Sequence, residues 1–182
     1  MGKTGYAYQG PKEGIVRAQA VDLRISPKES YEVANALRGM NVAKAKKYLE
    51  DVIALKRPIP YRRYNRQGVG HRKGHFGPGR FPKNTSEEFL KLLNLLQANA
   101  AFKGLNKEQL ILFHIASHKA APVRHSFKGS PHMTQVTHLE IVAKEETSGK
   151  KLAVKAEAKK TEKKVEKKEE HKHEKKIEVK KS

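Results

Sequence analysis

The chain has 182 residues, no cysteine, a formal net charge of +20 and a pI near 10.1. The absence of cysteine excludes disulfides and thiolate metal sites, and no apolar run is long enough to span a bilayer. The N-terminus lacks the apolar core of a signal peptide, which predicts a cytosolic protein. From Lys144 to Ser182 there are fifteen Lys and nine Glu, a net +6, so the first 143 residues carry +14. An excess of that size on one small domain predicts a polyanionic partner.

In chain order, Tyr6 to Ile25 contains β-type stretches around Ile15–Ala18 and Ala20–Leu23. Ser26-Pro27-Lys28-Glu29 reads as a helix start, with Ser26 as cap, Pro27 in the first turn and Glu29 completing a capping box. Val33, Ala34 and Leu37 form its apolar stripe, and Gly39 its stop. Asn41 caps a second helix with Val42, Ala45, Leu49, Val52 and Ile53 on one face, expected to end at Arg57-Pro58.

Residues 56–83 then run without a single Asp or Glu. They hold nine Lys/Arg, two His, five Gly and four Pro, with Tyr61, Tyr64, Phe76 and Phe81 between the cations. Such a segment is expected to bury too little apolar surface to order itself without a polyanion. Guanidinium groups and aromatic rings suit exposed bases, and glycine backbone suits close approach to phosphate, which points to RNA. The glycines of Gly68-Val69-Gly70-His71-Arg72-Lys73-Gly74 do not have the spacing of a nucleotide-hydrolysing phosphate loop.

Thr85-Ser86-Glu87-Glu88 is expected to open a third helix, again as a capping box. Phe89, Leu92, Leu93, Leu96 and Ala100 line one side, and Gly104 closes it. Gln109 to Ile115 reads as a strand with Ile111, Phe113 and Ile115 on one face, and Val136 to Val142 as its partner, with Leu139 and Ile141 toward the core. Between them lies a second acid-free stretch with turn signals at Pro122, Gly129 and Pro131. Pairing out to Lys119 would build an arm of about 30 Å, apolar at its root and basic beyond. The Lys/Glu-rich tail is expected to be disordered when unbound.

Five histidines fall in this hairpin: His114, His118, His125, His132 and His138. With no carboxylate or thiolate beside them in that stretch they predict no metal site. No cysteine nucleophile, paired carboxylates or Ser–His–Asp arrangement stands out, and Glu29, Glu87 and Glu88 read as helix-start residues, so no enzyme and no cofactor are predicted.

The ordered blocks SPKESYEVANALRGMNVAKAKKYLEDVIALKRPIPYRRYN, VGHRKG, GPGRFP, LLNLLQANAAFKGL and LILFHIASHK…VTHLEI closely resemble one family. It is the large-subunit ribosomal protein L twenty-two family in its archaeal and eukaryotic cytosolic form. The loop Pro60–Asn65 and the block Ala98-Asn99-Ala100 carry the resemblance most strongly, which spans Tyr6 to Val142. It implies an α+β fold: a three-stranded antiparallel sheet packed with three helices, with the hairpin protruding. It further implies a structural protein of the large ribosomal subunit that binds rRNA and neighbouring ribosomal proteins. The hairpin would thread the RNA to the exit-tunnel wall, making a nascent peptide a further implied partner near its tip. The tip departs from the family's Arg-Ala-x-Gly-Arg pattern, reading Arg124-His125-Ser126-Phe127-Lys128-Gly129.

The expected organisation is therefore an RNA-binding domain over residues 1–143, with basic loop 56–83 and hairpin 109–143, and a charged tail over 144–182. The expected rRNA contacts are Arg57, Arg62, Arg63, Arg66, His71, Arg72, Lys73 and Arg80 in the loop. In the arm they are Lys119, Arg124, His125, Lys128 and His132. The competing readings are a DNA-compacting, chromatin-like protein using the tail, whose nine glutamates oppose it, and an RNA-processing enzyme using His114, His118 and His125.

Overall fold

The computed structural model describes residues 5–10, 14–66, 68–71 and 77–145. All belong to one unit, Met1–Glu145. Expectations for Arg72, Lys73, Phe76 and the tail beyond Glu145 lie outside the described residues.

A three-stranded antiparallel sheet is built from β1 (Ile15–Leu23), β4 (Leu110–Lys119) and β7 (Thr137–Glu145), in the order β1-β7-β4. Three helices accompany it: α1 (Pro27–Leu37), α2 (Val42–Ile53) and α3 (Lys83–Phe102). The fold is α+β, as the family resemblance implied. Two-residue strands β2 (Ile59–Pro60) and β3 (Gly79–Arg80) pair across the basic loop, and β5 (Val123–Phe127) pairs with β6 (Ser130–Thr134) to form the outer hairpin.

The helical stripes predicted from sequence are the core. Val33, Leu37, Val42, Ala45, Leu49, Val52, Phe89, Leu93, Leu96 and Ala100 are all fully enclosed, packing with Leu139, Ile141 and Ala143 of the central strand. Each fully buried aliphatic or aromatic side chain contributes about 1.5–3 kcal/mol. Asn99 fastens α3 to the edge strand by donating to the Arg17 carbonyl at 2.9 Å, and Lys103 does the same at Ile15, at 3.0 Å.

The other face of the sheet is covered by the N-terminal segment. The Glu140 carboxylate, 2% exposed in mid-strand, accepts the Ala7 N–H at 2.7 Å and the Tyr8 N–H at 3.1 Å. Tyr8 packs edge-on against Phe113, and Arg17 lies over the rings of Tyr6 and Tyr8. Buried charge of this kind is stable only when hydrogen-bonded, and here the backbone supplies the donors.

Several boundaries differ from the sequence reading. The Ser26 side chain makes no cap. Instead the Ser30 hydroxyl donates to the Ser26 carbonyl at 2.8 Å, and Glu29 accepts from the Thr85 hydroxyl at 3.3 Å rather than closing a capping box. Asn41 caps α2 as expected, accepting the Ala43 N–H at 2.9 Å. That helix ends at Ile53, before Arg57-Pro58, because Leu55 turns into the left-handed region with φ +60°. Helix α3 begins at Lys83, behind Pro82, two residues ahead of the predicted Thr85 start.

The largest correction concerns β4. Ile111, Phe113 and Ile115 do not share a face: the core takes Leu110, Leu112 and Ile115, while Phe113 is 48% exposed. The register explains it, since Leu112 pairs with Ala143 and His114 with Val142, leaving Phe113 as an extra residue in a bulge. One inserted residue moves every later side chain to the opposite face.

Candidate nucleic-acid interface

The described parts of the acid-free segment, residues 56–66, 68–71 and 77–83, pack onto the domain through contacts within the chain. Ile59, Tyr61 and Val69 enter the core at 0%, 3% and 4% exposure, and Phe81 packs partly against it. Its backbone is held by one carboxylate. Glu32 of α1, 1% exposed, accepts the N–H groups of Arg62 at 3.1 Å, Arg63 at 2.8 Å and Tyr64 at 2.7 Å. Charge-assisted bonds of this sort are worth about 1.5–3 kcal/mol each.

This arrangement spends the nearest acid on backbone and leaves the side chains turned outward. Among the described residues, no salt bridge within 4 Å engages Arg57, Arg62, Arg63, Arg66 or Arg80. All five are exposed. Their guanidinium groups rest on aromatic rings instead: Arg57 lies 4.7 Å over Tyr48, and Arg63 lies 5.0 Å over Tyr31 and 5.7 Å over Tyr64. Tyr31 and Tyr64 meet edge to face at 5.7 Å. Contact with the Tyr31 phenol and ring keeps the Arg63 guanidinium firmly protonated. Arg80 donates to the Gly68 carbonyl at 3.0 Å, closing the loop on itself, and His71 bridges to Pro78.

The loop divides its arginines between two concavities. One, of about 360 Å³, is lined by residues that include Lys28, Glu29, Tyr61, Arg63, Tyr64 and Arg80; Ser26, Arg66 and Val69 complete its wall. The other, of about 250 Å³, is lined by Asn35, Ala36, Met40, Tyr48, Arg57, Pro60 and Arg62. Neighbours Arg62 and Arg63 thus serve different sides.

The arm has a different construction. The β4–β7 ladder runs from Leu110↔Glu145 out to Lys119↔Thr137, and then the β5–β6 ladder continues from Val123↔Thr134 to Phe127↔Ser130. Its root is pinned where the Thr137 hydroxyl, fully buried, donates to the Ile25 carbonyl at 2.8 Å. The next residue, Ser26, lines the larger loop concavity, so arm root and loop share one connection. Beyond that root Arg124, His125, Lys128 and His132 are exposed, as are Val123 and Met133. Lys128 and Gly129 both have positive φ, +50° and +76°, in a two-residue turn. Across the ladder His125 and His132 stack at 6.0 Å, and His125 Nδ1 lies 3.2 Å from the Thr134 hydroxyl.

Other histidines have carboxylate company that the sequence reading missed. His114 Nε2 is 3.9 Å from Glu140, and His138 Nδ1 is 3.7 Å from the Asp22 carboxylate while accepting the Asp22 N–H at 3.0 Å. Among the described residues no three His, Asp or Glu side chains gather as metal ligands. No helix among them is long and apolar enough to cross a membrane. Sequence reasoning also missed Glu32 and Tyr31, since no spacing rule ties a helical glutamate to a loop thirty residues on.

Residues 18–144 match the profile of a family described as Ribosomal protein L22p/L17e. The chain is 41% identical over 152 residues to the large ribosomal subunit protein uL22 of Ignicoccus hospitalis, covering 78% of this chain and 94% of that protein. It is 43% identical over 126 residues to the uL22 protein of Methanothrix thermoacetophila, covering 68% and 82%. To that of Methanococcoides burtonii it is 36% identical over 150 residues, covering 80% and 99%.

Proposed function

The chain belongs to the ribosomal protein L22p/L17e family, and we propose that it is a structural, non-enzymatic constituent of the large ribosomal subunit in the cytoplasm. It binds large-subunit rRNA through loop 56–83 and the hairpin, supports subunit assembly, and lends its arm to the wall of the nascent-peptide exit tunnel. Neighbouring ribosomal proteins, and a nascent peptide near the arm's tip, are the further partners of this reading.

One observation carries it: five exposed arginines with no salt-bridge partner among the described residues stand on a loop whose backbone is fixed by a buried glutamate. Cations held this way repel one another until phosphates neutralise them, and their preset backbone lowers the ordering cost of binding. The same loop offers guanidinium–aromatic surfaces suited to stacking on unpaired bases.

The test is the affinity of the full chain for large-subunit rRNA fragments over a range of salt concentrations. Neutralising about ten phosphates gives a log–log slope of roughly −7 to −9. A flat dependence overturns the reading, and duplex DNA binding as tight as rRNA binding would favour compaction of nucleic acid instead.

A further inference from the structure

The larger loop concavity is more than a cationic groove. Arg63, Arg66, Arg80 and Lys28 ring it, yet Glu29 also lines it and a buried tyrosine forms part of its wall. The Tyr61 hydroxyl is enclosed and has no hydrogen-bond partner among the described residues, which is costly for a buried polar group. Its surroundings hold the phenol far above its ordinary titration range, chiefly by burial and next by the Glu29 carboxylate. The remaining wall is Val69, Tyr64 and Ser26.

A site for phosphate alone gains from a hydroxyl donor but has no use for a carboxylate or an apolar wall. A nucleotide uses all of them. At about 360 Å³ the cavity lies within the range of small-molecule sites, about 300–1,000 Å³. The Tyr64 ring, with the Arg63 guanidinium 5.7 Å from its centre, offers a planar stacking surface at the rim. Glu29 has spare acceptor capacity beyond its 3.3 Å bond from Thr85.

We propose that this cavity receives one splayed-out nucleobase of the bound RNA, guanine before the others. Its Watson–Crick edge faces Glu29 and Tyr61, and its phosphate lies among Arg63, Arg66 and Arg80. Guanine is preferred because it alone presents two adjacent N–H donors on that edge, matching the two oxygens of a carboxylate. The Tyr61 hydroxyl then donates to a base acceptor and gains the partner it lacks. Unpaired RNA bases are recognised in this general manner, by stacking plus hydrogen bonds to an exposed edge.

The inference rests on the rRNA-binding reading, and its test separates the two. Guanosine 5′-monophosphate, uridine 5′-monophosphate and ribose 5-phosphate are titrated into the full chain, followed by amide NMR at Tyr64 and Val69. Guanosine monophosphate is expected to bind at least tenfold tighter than ribose 5-phosphate and several-fold tighter than the uridine nucleotide. Glu29→Gln should erase the guanine preference and leave ribose 5-phosphate affinity unchanged. Tyr61→Phe, which removes only the hydroxyl, should keep or raise the melting temperature and weaken the guanine nucleotide several-fold. Equal binding of all three ligands, or a guanine preference that survives both substitutions, overturns the inference. If salt-dependent rRNA-fragment affinity persists in that case, the fault lies with the base pocket and the RNA-binding reading stands.

Discussion

Loop 56–83 is fastened from beneath. Its N–H groups at Arg62, Arg63 and Tyr64 end on Glu32, and Ile59, Tyr61 and Val69 sink into the core. The outer hairpin formed by β5 and β6 has a ladder of its own, and none of its described side chains belongs to the buried core. Both segments are acid-free, basic and glycine- or proline-marked, so composition makes them look alike. What separates them is a single buried acid outside either segment. The loop is thereby a preset surface coupled to global stability, whereas the outer hairpin answers only to local pairing and to whatever surrounds it.

The sharpest way to break this contrast is Glu32→Ala. Three backbone donors lose their acceptor in a part-buried setting, and each donor left unsatisfied costs about 1–3 kcal/mol. The urea midpoint should fall accordingly, and amide exchange at Arg62, Arg63 and Tyr64 should rise from the protected to the open regime. A loss below about 1 kcal/mol would mean that the loop is not held through Glu32.

Removing the outer hairpin probes the other side. Joining Ala120 to Val136 through a short glycine turn exploits an existing contact, the Ala120 N–H donating to the Val136 carbonyl at 2.9 Å. Stability should stay within about 0.5 kcal/mol, as for surface changes away from the core. The rRNA-fragment affinity should drop about tenfold or more, with the salt slope shallower by roughly 1.5–2 as Arg124 and Lys128 are lost. A large fall in melting temperature would show the arm to be part of the fold's stability.

How far these regions were legible in the sequence follows the same division. Helix stripes such as Phe89-Leu92-Leu93-Leu96 were readable because one helix satisfies its own backbone, so period alone places its apolar face. The expectation of a polyanionic partner came from composition alone, because nine cations without an acid constrain the ligand whatever the backbone does. The anchoring of the loop backbone at Arg62, Arg63 and Tyr64 was not readable, since it depends on Glu32 thirty positions earlier in a helix. The inward face of β4 was not either, because the bulge at Phe113 is a property of pairing with β7. Glu29 was misassigned to a cap for a related reason: local spacing matched a capping box, while its carboxylate in fact meets Thr85 and the cavity.

A smaller effect tests how closely the loop is packed. Tyr61→Phe deletes an enclosed, unpartnered hydroxyl and should stabilise the free protein by up to about 1 kcal/mol at neutral pH. The sign of its pH dependence is fixed by the upward shift of the phenol. Tyrosine is neutral below its unfolded pKa near 10, so the native protein keeps its full stability there. As pH rises above that point, the unfolded chain ionises first and stability falls. The phenylalanine variant should lose this part of the alkaline decline, read as denaturant midpoints between about pH 9 and 11. An identical decline in both proteins would place the Tyr61 hydroxyl in solvent.

The mildest substitution falls at the tip. Lys128 occupies the left-handed region at φ +50° ahead of Gly129, in a two-residue turn whose φ signs match the mirror-image type that favours Asn-Gly or Gly-Gly. Lys128→Gly relieves backbone strain but adds unfolded-state freedom, so the net gain to the hairpin is at most a few tenths of a kcal/mol. Because no described side chain of β5 or β6 belongs to the buried core, that gain should not reach the global transition. Amide exchange at Phe127 and Ser130 should slow measurably while the melting temperature stays fixed. The same type of relief at Leu55, also left-handed at φ +60° but placed between α2 and the anchored loop, should instead move the melting temperature. A matched response at the two sites would erase the distinction between an anchored and a free-standing projection.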